Sequence, residues 1–264
     1  LSAASSKLKL IANYGAGYDH IDIKTALQRG IIVTNTPSVL TTDTADMTMA
    51  LILAIPRKLR EGHEEMQSGN WKGWSPSAMI GMRITGKKLG VLGMGRIGQA
   101  IAKRAIAFDL DINYHNRRRL HENIEKSLSA TYWENLEEML AAVDILVVSA
   151  SLNPSSLYLL NAKCLGKMKH SAYIVNISRG EIIDQKALVK QLKNGQLGGA
   201  GLDVYDSEEV IGSDFKSLKN VFLLPHMGSS TLEGRIEMGE KVIINIKTYL
   251  DGHRPPDQIV PSML

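Results

Sequence analysis

Residues 88–98 read KLGVLGMGRIG, and this stretch decides the fold of the chain. Its first five residues form an apolar run typical of a strand, which leads directly into the pattern Gly93-Met94-Gly95-Arg96-Ile97-Gly98. An amphipathic helix is predicted to follow. In such a unit the first glycine permits the turn, the second lets the backbone approach a pyrophosphate, and the third allows the helix to pack closely on the strand. The stretch predicts a nucleotide-binding unit, and an ordinary turn of the same shape is the alternative.

Further strands and helices alternate on both sides of this unit. Strands are predicted at residues 8–12, 31–33, 111–115, 145–149, 173–177, 200–204 and 221–224. Helices are predicted at residues 21–29, 44–60 (with Asp43 as the N-cap) and 232–250, and residues 69–86 are predicted to form a connecting loop. This alternation predicts an α/β fold with a doubly wound parallel sheet of Rossmann type.

The composition restricts the function classes. The net charge of +4 is a mild excess, which gives no argument for nucleic-acid binding. Cys164 is the single cysteine, so an intramolecular disulfide and a cysteine-based metal site are excluded. A single thiol also fits a reducing cytoplasm. No apolar run approaches the roughly 20 residues that a membrane helix needs. We therefore expect a cytoplasmic protein that binds neither nucleic acid nor membrane, and we predict no metal site.

The segment after the predicted strand at 111–115 bears on the choice of cofactor. An NAD-binding unit normally carries a carboxylate here, about 20 residues beyond the glycines, to hold the ribose hydroxyls. This chain has Asn116, Arg117 and Arg118 instead. An amide and two guanidinium groups would accept a 2′-phosphate that a carboxylate would repel. The segment predicts that NADP(H) is preferred and that NAD(H) is possible, and a solvated basic loop is the alternative.

Polar residues also follow the later predicted strands, at the sheet edge where open α/β folds bind ligands. Arg179, Glu208 and His226 each come shortly after a strand, and Asp203 lies within the end of one. An arginine can bind a carboxylate with two parallel hydrogen bonds, and a histidine can exchange a proton near neutral pH. A carboxylate near such a histidine can orient its ring. The alternative is that these side chains are merely hydrogen-bonded within the fold.

Several segments taken together resemble the D-isomer-specific 2-hydroxyacid dehydrogenases, and within them the glyoxylate/hydroxypyruvate reductase branch. The resemblance covers essentially the whole chain. It is carried by NYGAGYDHID at 13–22, VLGMGRIGQA at 91–100, VNISRG at 175–180, GLDVY at 201–205 and LPHMG at 224–228. The segment at 149–154, SASLNP, differs from the Pro-His-Thr-Pro that is usual in the family, and Glu209 replaces a usual proline.

The resemblance implies a role for each matching residue. The expected catalytic residues are Arg179, which binds the substrate carboxylate, His226, the acid/base, and Glu208, its paired carboxylate. Substrate is expected at Arg179 and at the amides of Gly15, Ala16 and Gly17. The expected cofactor contacts are Gly93, Met94, Gly95, Arg96, Ile97, Gly98, Asn116, Arg117, Arg118, Ile177, Ser178, Asp203, Met227 and Gly228.

The resemblance also implies a division of the chain. Residues 1–43 would be the later part of a flavodoxin-like substrate domain, 44–230 the NAD(P)-binding Rossmann domain, and 231–264 a helix and tail that return to the substrate domain. Two or three further strands are expected from residues before Leu1, and we expect the 264-residue chain to be a truncated reading frame with little activity by itself.

These observations predict an enzyme that uses NADPH to reduce a small 2-keto acid, glyoxylate or hydroxypyruvate, to the D-2-hydroxy acid. Alternatives are a lactate, phosphoglycerate, formate or phosphite dehydrogenase of the same family, and a nucleotide-sensing corepressor that does not turn over substrate. The helix at 44–60 and the loop with Trp71 and Trp74 resemble the family's dimer arm, so a homodimer is expected.

Overall fold

The computed structural model describes residues 7–206 and 213–261. The chain divides into two compact units. Unit 1 comprises Leu1–Asp43 and Ser229–Leu264, and unit 2 comprises Thr44–Gly228.

Unit 2 contains a seven-stranded sheet in which every pair of neighbouring strands is parallel. Its strands are β3 (Lys88–Leu92), β4 (Asp111–His115), β5 (Thr131–Tyr132), β6 (Ile145–Val148), β7 (Tyr173–Asn176), β8 (Gly199–Leu202) and β9 (Val221–Leu223). Their order across the sheet is β5-β4-β3-β6-β7-β8-β9. From β3 the chain adds β4 and β5 on one side of the sheet. It then crosses back and adds β6, β7, β8 and β9 on the other side. The predicted α/β fold with a doubly wound parallel sheet is confirmed.

The sheet is buried on both faces, as the alternation of side chains along β6 shows. Leu146 and Val148 belong to one hydrophobic cluster, while Ile145 and Val147 belong to the other, and all four are fully buried. A parallel strand covered on both faces has no polar side, which is why β6 reads as a continuous apolar run. Helices therefore cover both faces of the sheet.

Eight of the ten described α-helices have 11 residues or fewer. The ten are α1 (Ile23–Gln28), α2 (Thr41–Ala54), α3 (Leu59–Gln67), α4 (Arg96–Ile106), α5 (Glu122–Ser127), α6 (Leu136–Ala142), α7 (Ala162–Leu165), α8 (Gln185–Lys193), α9 (Ser213–Lys216) and α10 (Leu232–Leu250). The predicted loop at 69–86 contains neither helix nor strand. Within the described ranges, no helix is both long and apolar enough to span a membrane.

The predicted helix at 44–60 is wrong at both ends. α2 begins at Thr41, so Asp43 lies in its first turn and is not the N-cap. α2 ends at Ala54, because Pro56 has no amide to continue the helix and its ring restricts the preceding residue. Lys58, with a φ of 54°, then reverses the backbone before α3 begins.

Unit 1 has a parallel pair of strands, β1 (Leu10–Ala12) and β2 (Ile32–Thr34), among the residues that are described. Asp22 caps α1 by accepting a hydrogen bond from the Thr25 amide at 3.0 Å. Thr231 caps α10 in the same way through the Gly234 amide, and its hydroxyl donates to Asp43 at 2.6 Å. The first turn of α10 is therefore fixed within unit 1.

Candidate functional site

The glycine loop of unit 2 lies where the strand order reverses, between β3 and β6. Gly93 has a φ of 97°, a conformation that favours glycine, and a Cβ atom there would lie 2.5 Å from the backbone of Ala150. A Cβ atom at Gly98 would lie 2.5 Å from the carbonyl oxygen of Gly93. At Gly95, by contrast, a Cβ would meet nothing within 4 Å. The first and third glycines thus serve packing, while the second borders open space.

The open space at Gly95 adjoins the N-terminus of α4. Gly95 is the N-cap and provides no side chain, and the first turn of α4 carries no acidic residue. The first amides of a helix have no partner inside the helix, and the helix dipole favours an anion beside them. The amides of Arg96 and Ile97 have no acceptor among the described residues. This arrangement fits the pyrophosphate of a dinucleotide.

Met94 contributes to this loop through its backbone only, because its side chain is fully buried in the core. Its amide donates to Oδ1 of Asn116 at 2.7 Å. That bond links the end of β4 to the glycine loop. The side-chain nitrogen of Asn116 has no acceptor among the described residues, so both of its N–H groups can donate to a ligand.

The three arginines after Asn116 are all exposed, but they differ in their contacts. Arg117 and Arg118 are exposed and have no partner among the described residues. Arg119 binds the carboxylate of Glu125, with Nη2 at 2.8 Å from Oε2 and Nε at 2.9 Å from Oε1. Its guanidinium also lies over the ring of Tyr132, 5.5 Å from the centroid. Two of the three cations are therefore available to a ligand and the third is engaged.

The carboxylate of Glu125 is the centre of this cluster. It is buried, and it accepts a very short hydrogen bond from the hydroxyl of Tyr114. The guanidinium of Arg119, followed by the Tyr114 hydroxyl, lowers the pKa of Glu125 to about 2. Burial, together with the bond to Glu125, raises the pKa of Tyr114 to about 12. The carboxylate is thus ionised and the phenol is neutral at physiological pH.

The loop after β7 carries Ile177, Ser178 and Arg179. Ile177 is buried, and Ser178 donates through its hydroxyl to the Ala150 carbonyl in a very short bond. Asn176 holds the loop from both sides, since Oδ1 accepts from the Ser178 amide at 3.1 Å and Nδ2 donates to the Arg179 carbonyl at 2.9 Å. Gly180 follows at a position where a Cβ would overlap the backbone of Tyr205 and Asp206. The backbone that carries Arg179 is therefore tightly fixed.

The turn after β9 carries His226, Met227 and Gly228. His226 has a φ of 53° and is exposed. The buried carboxylate of Asp203, at the end of β8, accepts from the Met227 amide at 2.8 Å and from the Gly228 amide at 2.7 Å. The resemblance predicts a cofactor contact for Asp203, and the structure shows that its carboxylate holds the turn that carries His226.

β7, β8 and β9 are neighbours, so Arg179, Asp203 and His226 follow three adjacent strands at the same edge of the sheet. At a strand spacing of about 4.8 Å, the outer two strand ends are roughly 10 Å apart. That separation suits a small ligand lying between an arginine and a histidine. Glu208 and Glu209 lie outside the described residues.

The turn at Gly15, Ala16 and Gly17 belongs to unit 1. Asn13 donates through Nδ2 to the carbonyls of Gly15 and Gly17, at 3.0 and 2.8 Å, and Asn35 donates to the carbonyl of Ala16 at 2.7 Å. With the carbonyls held in this way, the three amides of the turn have no acceptor in the described part of the chain. Such a turn can bind an anion.

Some residues outside the expected ligands also shape the site. The Ser149 hydroxyl donates to the Gly93 carbonyl at 2.7 Å, so the segment at 149–154 contacts the glycine loop. Asn176 and Glu125 each hold a neighbouring loop, as described above. Among the described residues, no group of three or more His, Cys, Asp or Glu is placed to hold a metal ion.

A doubly wound parallel sheet, with a glycine loop and an open helix N-terminus at the point where strand order reverses, defines a dinucleotide-binding protein. The comparisons with known proteins narrow this class. Residues 49–228 match the family model described as "D-isomer specific 2-hydroxyacid dehydrogenase, NAD binding domain". The chain belongs to the D-isomer-specific 2-hydroxyacid dehydrogenases and is a nicotinamide-dependent oxidoreductase, so the predicted family is confirmed.

Individual relatives support this assignment. The chain is 44% identical over 254 residues to a glyoxylate reductase of Pyrococcus furiosus, which covers 95% of this chain and 75% of the relative. It resembles the crystal structure of an NADPH-dependent glyoxylate/hydroxypyruvate reductase from Sinorhizobium meliloti in complex with NADP and malonate, with a TM-score of 0.90, 36% identity, and coverage of 97% and 78%. A glyoxylate reductase from Paecilomyes thermophila gives a TM-score of 0.91 at 36% identity, covering 100% of this chain and 78% of that one.

Proposed function

We propose that the full-length protein reduces a small 2-keto acid, glyoxylate or hydroxypyruvate, to the D-2-hydroxy acid and prefers NADPH. The observation that carries this proposal is the placement of Arg179 and His226 on either side of Asp203 at the carboxyl edge of one parallel sheet. The similarity to glyoxylate reductases of several organisms supports the choice of substrate.

The proposed reaction assigns one task to each side chain. A bound reduced nicotinamide supplies the hydride. Arg179 binds the substrate carboxylate with its planar guanidinium and so orients the carbonyl. His226 donates the proton that the new hydroxyl needs, and Glu208 is proposed as its paired carboxylate. Asp203 holds the two backbone amides that follow His226 and so fixes the turn that carries the imidazole.

We further propose that the amides of Gly15, Ala16 and Gly17 bind a substrate carboxylate. Their carbonyls are fixed by Asn13 and Asn35, so the amides present a preformed set of donors. The donors do not need to reorganise when the anion binds, which favours affinity.

The preference for NADPH rests on the loop after β4. Asn116 uses its oxygen to accept from the Met94 amide, so its nitrogen can donate to a 2′-phosphate. Arg117 and Arg118 add two exposed cations beside it. A charge-assisted phosphate contact raises affinity by about 10- to 150-fold.

The Asn116→Asp substitution tests this preference sharply. The new carboxylate would keep an acceptor for the Met94 amide but would repel a 2′-phosphate, so the loop geometry would be preserved while the charge changes. We expect the ratio of kcat/KM with NADPH to kcat/KM with NADH to fall by about tenfold or more. The double substitution Arg117→Ala and Arg118→Ala should lower the same ratio while activity with NADH is nearly retained. Equal efficiency with both cofactors in the unmodified protein would disprove the preference.

We also propose that the protein forms a homodimer through the segment at 59–80. This segment of unit 2 exposes several large apolar side chains, among them Met66, Trp71, Trp74 and Ile80. Exposed apolar surface of this kind is typical of an interaction site. Light scattering after size-exclusion chromatography should give twice the mass of the chain, and Trp74→Glu should shift the protein towards monomer. A monomer in the unmodified protein would contradict the proposal.

A further inference from the structure

The loop at 116–120 is attached to the sheet at both of its ends. At the start, Asn116 accepts from the Met94 amide, and its own carbonyl lies 3.4 Å from the Tyr132 hydroxyl. At the end, the Leu120 amide donates to the Tyr114 hydroxyl at 3.0 Å. The two residues in the middle, Arg117 and Arg118, are exposed.

The end of the loop depends on one buried carboxylate. Glu125, the fourth residue of α5, accepts from Tyr114 and from two nitrogens of Arg119. Since the same Tyr114 hydroxyl accepts from the Leu120 amide, two consecutive loop residues are held through Glu125. Tyr114 and Glu125 are buried, where hydrogen bonds are stronger than in water, whereas the Arg119 side chain is 64% exposed.

The network also separates the three arginines by function. The guanidinium of Arg119 is paired with the Glu125 carboxylate and lies over the ring of Tyr132. The neighbouring Arg117 and Arg118 do not share that carboxylate. A loop that is free to move would have to lose conformational entropy before its cations could bind one phosphate, and a fixed loop has largely lost it already.

We propose that Glu125 is a positioning residue for cofactor selection: it fixes Arg119 and, through Tyr114, Leu120, so that Arg117 and Arg118 are presented to the 2′-phosphate of the cofactor. This inference rests on the proposed preference for NADPH. It assigns Arg119 to the loop and not to the phosphate, although the three arginines are consecutive in the sequence.

Glu125→Gln is the principal test variant, because it removes the charge and keeps the size of the side chain. Its matched control is Glu122→Gln on the same helix, where Glu122 forms an exposed ion pair with Lys126 at 2.7 Å. Dissociation constants for NADPH and NADH are measured by titration of protein fluorescence in the full-length protein. We expect Glu125→Gln to weaken NADPH binding by about 2- to 30-fold, the range by which residues that act through a neighbour alter a coupled site. NADH binding should change little, and Glu122→Gln should change neither.

Three further variants distinguish a positioning residue from a phosphate ligand. If Arg119 acts only through Glu125, then Arg119→Met should weaken NADPH binding as much as Glu125→Gln, and the double variant should be no worse than either one. Tyr114→Phe should lower the protection of the Leu120 amide in hydrogen exchange and should reduce the NADPH preference in parallel.

The outcomes separate this inference from the proposal on which it rests. Unaltered or tighter NADPH binding in Glu125→Gln, with the preference abolished in the Arg117→Ala and Arg118→Ala double variant, would overturn the inference and leave the NADPH preference intact. Tighter binding in particular would mean that Glu125 withholds Arg119 from the phosphate. Equal affinity for NADPH and NADH in the unmodified protein would overturn the preference and the inference together.

Discussion

The carboxylate of Asp203 accepts a hydrogen bond from the amide of Gly228 at 2.7 Å, across 25 positions of sequence. Its other oxygen accepts from the Met227 amide at 2.8 Å. Between the two bonds and the end of β9 lies His226, whose backbone has a positive φ. A buried carboxylate thus maintains the unusual backbone on which the proposed acid/base depends.

Asp203→Asn tests this relationship with a nearly unchanged shape. An amide has one acceptor oxygen where the carboxylate has two, so its NH2 group would face one of the two backbone amides. An unsatisfied buried donor costs about 1–3 kcal/mol, and misplacement of a catalytic group can cost about 10- to 100-fold in rate. We expect a lower free energy of unfolding in urea and a lower kcat. A variant with wild-type kcat would show that the turn does not need Asp203.

The two glycines at the start of the cofactor loop should respond differently to alanine. Gly93→Ala places a Cβ 2.5 Å from the Ala150 backbone at a φ of 97°, so it should destabilise the fold by several kcal/mol. Gly95→Ala meets nothing within 4 Å and should leave the melting temperature unchanged. Its methyl group would enter the space proposed for the pyrophosphate, so NADPH affinity should fall. Full affinity in a well-folded Gly95→Ala variant would exclude this position for the cofactor.

How far the sequence predicts the fold varies between elements, for physical reasons. The bounds of β3 and β4 are predicted correctly, because β3 is a mostly apolar stretch that ends at Gly93 and β4 has the strand-favouring Ile112 and Tyr114 at alternate positions. The predicted helix runs past Pro56 because the apolar run at residues 49–55 leads directly into it, although the proline itself indicates a helix end. β5, with two residues, is too short to produce a period.

The residues of the candidate site also differ in how far the sequence predicts them. The positions of Arg179 and His226 follow from topology, since parallel strands end at one edge of the sheet. The bonds of Asp203 to Met227 and Gly228, and of Glu125 to Arg119, depend on how loops close in three dimensions, and no local pattern encodes them. Sequence spacing therefore locates the candidate side chains, and the structure is needed to identify the residues that hold them.

The low pKa of Glu125 predicts a pH dependence of stability. The folded protein holds this pKa at about 2, and its ordinary value is 4.5, so the unfolded chain takes up the proton first as the pH falls. The stabilisation by Glu125 should be fully present above about pH 5 and should be lost progressively as the pH falls towards 2. Urea unfolding of the wild type and of Glu125→Gln should therefore differ more at pH 7 than at pH 3.5. A difference that is constant over this range would contradict the assigned ion pair.

Arg179→Lys should affect binding more than turnover. Lysine keeps the charge but cannot offer the planar pair of donors that a carboxylate accepts from arginine. We expect KM for glyoxylate to rise by about tenfold or more, the scale of a lost charge-assisted hydrogen bond, with a smaller change in kcat. The loop itself should persist, because Asn176 holds the backbone of residue 179 and not its side chain. An unchanged KM would remove Arg179 from the substrate site.

The central claim is that this protein reduces a 2-keto acid with His226 as the acid/base. The most direct measurement is NADPH oxidation by the full-length protein with glyoxylate, hydroxypyruvate and pyruvate, compared with His226→Asn, since asparagine tolerates the positive φ at this position. We predict turnover in the wild type, with glyoxylate or hydroxypyruvate preferred. In the variant we predict a loss of about 10²- to 10⁴-fold in kcat, with NADPH affinity retained. Tight NADPH binding without oxidation by any keto acid, or full turnover in the variant, would contradict the account.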